Sequence, residues 1–251
     1  MVEIAANDLL ADELAMRGGT CLHKLHLPQP LRYSEDLDYV RRSHSGMGPY
    51  MEELRTIATT AGLVEHGYEQ AGQMVHMTFD AEATSGMRRI RIKIETNIRE
   101  TEACFERITR RFQVVSDWWS GAAEITTFHV EELMGTKLRA LYQRSKGRDL
   151  FDLWYVLTET HADAERVIRA LNHYMRSDTF TYAEFATNLR DKLADPDFTS
   201  DINDLVATKP VGYDPISAAD LIIERLGSRL VKAPPADRIL NGQWRTESAR
   251  T

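Results

Sequence analysis

The sequence has no long apolar run, almost no cysteine and no excess of basic charge. Nowhere in its 251 residues do the ~18 consecutive apolar residues of a membrane-spanning helix occur, so no membrane partner is expected. The opening stretch carries Glu3, Asp8, Asp12 and Glu13 where a secretory signal would be basic and then apolar, and a cytoplasmic location is expected. The two cysteines, Cys21 and Cys104, lie far apart in no metal-ligand spacing. That excludes a disulfide framework and a structural zinc site, and both read as buried small hydrophobes. With 31 Lys and Arg against 38 Asp and Glu, the formal net charge is −7, which argues against a general nucleic-acid coat. There is no internal repeat. What remains is ordinary globular composition, 43% hydrophobic and 27% charged, in a length that suits one moderate domain or two small ones.

The charge is uneven along the chain. Residues 86–112 hold Arg88, Arg89, Arg91, Lys93, Arg99, Arg107, Arg110 and Arg111 against four glutamates, and residues 136–148 hold five basic residues and no acidic one. After Arg148 acidic residues dominate, so a polyanionic ligand should meet the first part of the chain.

Element patterning points to an α+β fold. Residues 13–17 form a short strand that stops at Gly18-Gly19, and Thr20, Cys21, Leu22 and Leu25 then take helical spacing up to Pro28. Residues 36–40 alternate as a strand, with Asp36 and Asp38 on one face. A helix over 48–61 stops at Gly62, followed by a short strand near Leu63. Residues 73–80 and 87–97 read as a hairpin joined by 81–86. Its second arm sets Ile90, Ile92 and Ile94 against Arg89, Arg91, Lys93 and Glu95. A strand over 111–115 precedes a Trp118-Trp119 loop. From Phe128 the pattern is helical: 129–143, 149–158, 162–176, 182–194, 199–207 and 217–231. The expected organisation is a mixed β-sheet core with helices over 1–125, a mainly α-helical domain over 126–231 and a loose tail over 232–251.

Four features carry possible chemistry. Asp36 and Asp38 project from one strand face about 7 Å apart by strand rise, a pair that could grip a hard cation such as Mg²⁺, although a D-x-D taken alone more often marks an exposed edge or loop start. Glu95 shares its face with Lys93 and Arg91; it is either a third carboxylate converging on that cation or a cross-strand salt bridge. Gly18-Gly19-Thr20 between strand and helix allows close approach of a phosphate to backbone N–H groups, although such a triplet is more often only a turn. Lys137 falls inside the apolar stripe of its helix, four after Leu133 and four before Leu141, so it needs a partner. Asp149 and Asp152, three apart on the next helix, can supply one, and the pair is either chemical or a buried ion pair.

Together these segments resemble a known family. G-G-T-x-L at 18–22, R-Y-S-E-D-L-D at 32–38, I-K-I-E at 92–95 and K-L-R-A-L-Y-Q-R-S-K-G-R-D-L-F-D-L at 137–153 are similar, in order, to the motifs of the AbiEii/AbiGii toxin family. These are nucleotidyltransferase-like toxins of the polymerase-β superfamily, which include the MenT toxins of mycobacteria. The resemblance implies a nucleotidyltransferase core followed by a helical domain, Mg²⁺ or Mn²⁺ as cofactor, and nucleotide transfer from NTP to the 3′ end of tRNA, which stops translation. It also implies a cognate antitoxin as partner. By resemblance Asp36 and Asp38 match the metal-binding pair and Glu95 the third acidic position. Gly19 and Thr20 match the phosphate turn, and Lys137 and Asp152 the catalytic positions of the second domain. Gly18, Ser34, Lys93, Arg148 and Asp149 complete the expected nucleotide-contacting set. Arg89, Arg91, Lys93, Arg144, Lys146 and Arg148 are expected to steer the polyanions. The stretch before Gly18 departs from the family by lacking most of its leading helix. Ser34 stands two residues before Asp36, where a phosphate on it would block the site by charge and bulk, so a Ser34→Asp variant should be inactive. Two other readings remain open: transfer to a protein side chain or small molecule, and a non-catalytic module that binds nucleotide or antitoxin.

Overall fold

The computed structural model describes residues 1–34, 36–82, 89–117, 119–207 and 212–231. The expected 81–86 connection and Arg88, Trp118 of the expected tryptophan loop, and the expected tail 232–251 lie wholly or mainly outside the described residues.

Seven strands form one mixed sheet: β1 (Leu14–Arg17), β2 (Asp36–Arg41), β3 (Val64–Ala71), β4 (Met74–Glu82), β5 (Arg89–Asn97), β6 (Ile108–Val115) and β7 (Ser120–Thr127). Their spatial order is β3-β4-β5-β2-β1-β7-β6. β2 runs antiparallel to β1 and parallel to β5, and β1 meets β7 in parallel through Met16 and Thr127. Short β1 therefore sits between two longer partners, and its Leu14, Ala15 and Met16 are buried.

Two short helices precede β1, α1 (Val2–Ala6) and α2 (Asp8–Glu13), in place of the missing leading helix expected from the sequence. Neither exceeds two turns, too short to show an apolar period. Asn7 caps α2 by accepting from Leu10 N–H at 3.1 Å, and its amide donates to Glu53 at 2.7 Å, which ties this end to α4 (Gly48–Thr60). β7 is the other unexpected element. Its SGAAEITT sequence is rich in small residues and has weak strand propensity, yet eight registered pairs with β6 hold it in place. In β5 the isoleucine face is graded: Ile94 is buried while Ile90 is 51% exposed, because the outer end of the hairpin runs past the core. β3, read as a short strand near Leu63, is eight residues long and almost wholly exposed.

After β1 the chain turns into α3 (Gly18–Cys21), which continues as a π-helical turn over Leu22–His26. The helical half comprises α5 (Val130–Gln143), α6 (Gly147–Glu159), α7 (Ala164–Met175), α8 (Tyr182–Leu193), α9 (Pro196–Ser200) and α10 (Pro215–Arg225). The expected 199–207 helix is displaced. Asp195 accepts from Asp197 N–H and starts α9 at Pro196, and turns follow it. One apolar cluster, from Leu10 and Met16 through Met134, Leu138 and Phe151 to Leu226, joins sheet and helices. Among the described residues no helix is long and apolar enough to cross a membrane.

Candidate active site

A cleft of about 450 Å³ opens between the sheet and helix α5, with the β1–α3 turn at its base. One wall is acidic. Register places Asp38 beside Glu95 and Asp36 beside Lys93, so three carboxylates share one end of the β2–β5 pair. All three line the cleft. Burial, then the charge of Glu95, pushes the Asp38 carboxyl up to about 6. Glu95 itself is engaged by Lys93 and lies 3.2 Å from His76 Nδ1; despite burial, Lys93 and then His76 hold it below the usual carboxylate range.

The β1–α3 turn presses against this wall. Gly18 has φ +80°, a left-handed conformation that L side chains rarely adopt, and the Asp38 carboxylate fills the space a Cβ would need. At Gly19 a Cβ would meet the Arg32 guanidinium and, at 3.0 Å, Ser34 Oγ. Thr20 does not line the cleft. Its buried hydroxyl donates to the Asp36 carbonyl at 2.6 Å and fastens the turn to β2, so its side chain positions the turn.

The opposite wall is basic, built from three cations on two buried aspartates. Lys137 on α5 places Nζ 2.9 Å from Asp149 Oδ1 and 2.8 Å from Asp152 Oδ2, both on α6. Arg32 grips Asp152 through Nε and Nη2, both at 2.7 Å, and His23 Nε2 completes the set at 2.9 Å. Arg144 takes the remaining oxygen of Asp149 at 2.7 Å. Both aspartates are fully buried. Burial alone would raise the Asp152 carboxyl, but Lys137 and Arg32 outweigh it and hold the group well below its ordinary value. The same exchange raises the Lys137 ammonium, which stays charged although only 11% exposed. Beyond them Glu100 receives both Arg17, at 3.1 Å, and Arg139, at 2.6 Å, and both arginines line the cleft.

The sequence-expected residues thus divide. Gly18, Gly19, Ser34, Asp36, Asp38, Glu95, Lys137 and Arg148 line the cleft; Thr20, Lys93, Asp149 and Asp152 do not. Asp149 and Asp152 lie behind Lys137, and Lys93 is spent on Glu95. Sequence reasoning missed Arg17, His23, Arg32 and Arg139 as site residues. Arg32 stands inside the R-Y-S-E-D-L-D motif and was the one with a visible signal; His23 and Arg17 reach the site only through tertiary packing.

Two alternate aspartates on a strand, a left-handed glycine turn beside them and a helix-borne lysine across the cleft are the parts expected of a nucleotidyltransferase. The chain belongs to the AbiEii nucleotidyl transferase toxin family of type IV toxin–antitoxin systems, whose model matches residues 1–226. It is therefore a toxin-family nucleotidyltransferase with a seven-stranded mixed sheet. Two solved structures share the fold. JHP933 from Helicobacter pylori is 19% identical with a TM-score of 0.51, covering 96% of this chain and 91% of that one. The nucleotidyltransferase toxin MenT4 from Mycobacterium tuberculosis is 16% identical with a TM-score of 0.57, covering 91% of this chain and 78% of that one. No curated protein sequence matches the chain significantly.

The acidic wall suits a divalent cation, and its geometry says how. Among the described residues no three His, Cys, Asp or Glu side chains are arranged to hold a metal ion by themselves. Mg²⁺ does not require such a cage: it commonly takes one or two carboxylates and completes its shell with water and substrate phosphate. Asp38, raised by burial and then by the charge of Glu95, is the group such a cation would relieve.

Proposed function

We propose that this chain binds an NTP in the cleft with Mg²⁺ or Mn²⁺ and transfers the nucleotidyl group to RNA, at the 3′ acceptor end of tRNA, thereby blocking translation in the cytoplasm. The observation that carries the reading is the confrontation of three carboxylates, Asp36, Asp38 and Glu95, with a cationic wall across one cleft. Asp36 and Asp38 would hold the cation, with Glu95 as the third acidic group beside them. When bound, the cation neutralises triphosphate charge and lowers the pKa of the attacking hydroxyl.

The chain's own residues supply the rest. The Gly18-Gly19 turn offers backbone N–H groups to phosphate oxygens. Lys137 Nζ, Arg148 and Arg144 supply positive charge where negative charge builds during transfer. Asp149 and Asp152 are positioning residues that hold Lys137 and Arg144 in place, Thr20 braces the turn, and Ser34 lies beside Gly19 in the cleft. The oxygen of the acceptor hydroxyl bonds to the α-phosphorus, the bond to pyrophosphate breaks, and the hydroxyl proton passes to a carboxylate of the acidic wall. The core over 1–125 carries the metal and phosphate groups, the helical domain over 126–231 carries Lys137, and a cognate antitoxin is the protein partner.

The test is incubation of the protein and its Asp36→Ala variant with total tRNA, Mg²⁺ and each labelled NTP in turn, resolved on a denaturing gel. Label in tRNA from the wild type alone supports the reading. An Asp36→Ala variant that transfers as well as wild type overturns it, and label in protein instead of RNA moves the acceptor.

A further inference from the structure

We propose that Tyr33 is the platform on which the base of the bound nucleotide stacks; this rests on the reading of the cleft as a nucleotide site. The groups assigned so far address phosphate, cation and hydroxyl, and none addresses a base. A base presents a flat, weakly polar face, which an aromatic ring meets with sequence-tolerant affinity. Among the described residues lining the cleft, Tyr33 is the one aromatic side chain.

Tyr33 is 59% exposed, much like Tyr68 and Tyr182, but of these three it alone lines the cleft. No ring or cation packs on it among the described residues, yet its backbone is held on both sides. The Tyr33 N–H donates to the Leu205 carbonyl at 2.7 Å, and its own carbonyl accepts from Arg32 Nη1 at 2.9 Å. The flanking Arg32 and Ser34 side chains both lie against Gly19 of the phosphate turn. The ring is therefore free for contact while the segment bearing it is clamped to the element proposed to hold phosphate. A ring presented this way loses little freedom on binding, which is what makes an aromatic contact efficient. Because every base has a π face, Tyr33 supplies affinity for all four NTPs and does not choose among them.

The experiment compares wild type, Tyr33→Phe and Tyr33→Ala by calorimetry with two probes, an NTP and ribose 5′-triphosphate, which lacks the base. Wild type should bind the NTP more tightly than the base-free probe. Tyr33→Ala should weaken NTP binding by about tenfold or more and leave the base-free probe unchanged, and Tyr33→Phe should behave as wild type. Because the side chain is exposed, thermal melting of all three should coincide. Equal weakening of both probes, weakening of neither, or loss in Tyr33→Phe overturns the proposal. So does an unchanged NTP affinity with a raised KM for tRNA, which would place the ring under the acceptor. A wild type that binds both probes equally removes the platform and leaves the nucleotide site standing; one that binds neither removes both.

Discussion

Asp38 and Asp152 are the same residue type on opposite walls of one cleft, and their carboxyls are displaced in opposite directions. Asp38 stands on β2 among other carboxylates and is raised to about 6, by burial and then by Glu95. Asp152 is buried more completely, yet Arg32 and Lys137 drive it well below its ordinary value of 3.8. Burial penalises charge in both, so the sign is decided by what the fold places alongside. The helical wall carries its own counter-ions and is finished as folded. On the strand wall the charge of Asp38 is penalised by burial and by Glu95, and this is the condition under which a cation from solution gains by binding beside it.

The largest expected effect breaks that contrast from the acidic side. Asp38→Asn removes one of two proposed cation ligands and should lower nucleotide transfer by a factor on the order of 10³, the several kcal/mol that a bound cation contributes to transition-state stabilisation. The same variant should melt no lower than wild type, since it relieves a strained charge. A large loss of stability in Asp38→Asn would show that the carboxylate is structural after all.

The basic wall should respond in the reverse sense. Asp152→Ala leaves Arg32 and Lys137 without a shared partner in a buried site, and denaturant unfolding should show a loss of about 3–5 kcal/mol. Acid titration sharpens this. A carboxylate whose folded pKa is depressed contributes stability above its unfolded value and loses it as pH falls toward the folded one, so Asp152 stabilises above about 3.8 and its share fades below. Asp38 has the opposite sign. Between 3.8 and about 6 the folded state holds the extra proton, so its charge weighs against folding as pH rises through that window. Asp152→Asn should flatten the loss of stability below pH 3.8, and Asp38→Asn should flatten the decline between 3.8 and 6. Curves that coincide with wild type in both windows would mean that neither group governs the titration.

Next in size is the hinge between the walls. Gly18→Ala forces an L side chain to φ +80° and into the Asp38 carboxylate. The backbone term alone is about 1–2 kcal/mol. A loss of transfer much larger than the stability loss is expected, because relief of the clash displaces Asp38. Equal losses would make Gly18 a turn residue only.

The acidic wall was legible in the sequence because it is local. D-x-D on an alternating strand and the I-K-I-E run put Asp36, Asp38 and Glu95 on defined faces, and β2–β5 pairing only had to bring those faces together. The Lys137 pair was legible for a similar reason: a lysine in an apolar stripe asks for a partner, and the next helix offers two. What stayed hidden depends on packing across long separations. His23 and Arg32 reach Asp152 across 129 and 120 residues, and no periodicity records such a meeting. β7 and the two leading helices were missed because small residues and one-turn lengths leave no hydrophobic signature. Thr20 was assigned to phosphate by its place beside two glycines, whereas its hydroxyl satisfies the Asp36 carbonyl, a choice visible only once β2 lies beside the turn.

The smallest expected effect bears on Glu95, whose two sequence readings the fold leaves in competition. Its carboxylate is held by Lys93, a residue 39% exposed, so the pair is worth less than about 1 kcal/mol and Lys93→Ala should barely shift the melting temperature. The informative quantity is the divalent-cation concentration at half-maximal transfer. If Glu95 is the third ligand, lysine competes with the cation for it, and removing Lys93 should lower that concentration while raising the Asp38 carboxyl further. If Glu95 serves only its ion pair with Lys93, two residues before it on β5, cation dependence will not move and Glu95→Gln will be as silent as Lys93→Ala. A lowered requirement in Lys93→Ala together with a raised one in Glu95→Gln would place all three carboxylates on one ion, an arrangement that the cation itself would have to pull together, because Lys93 and His76 hold Glu95 until it arrives.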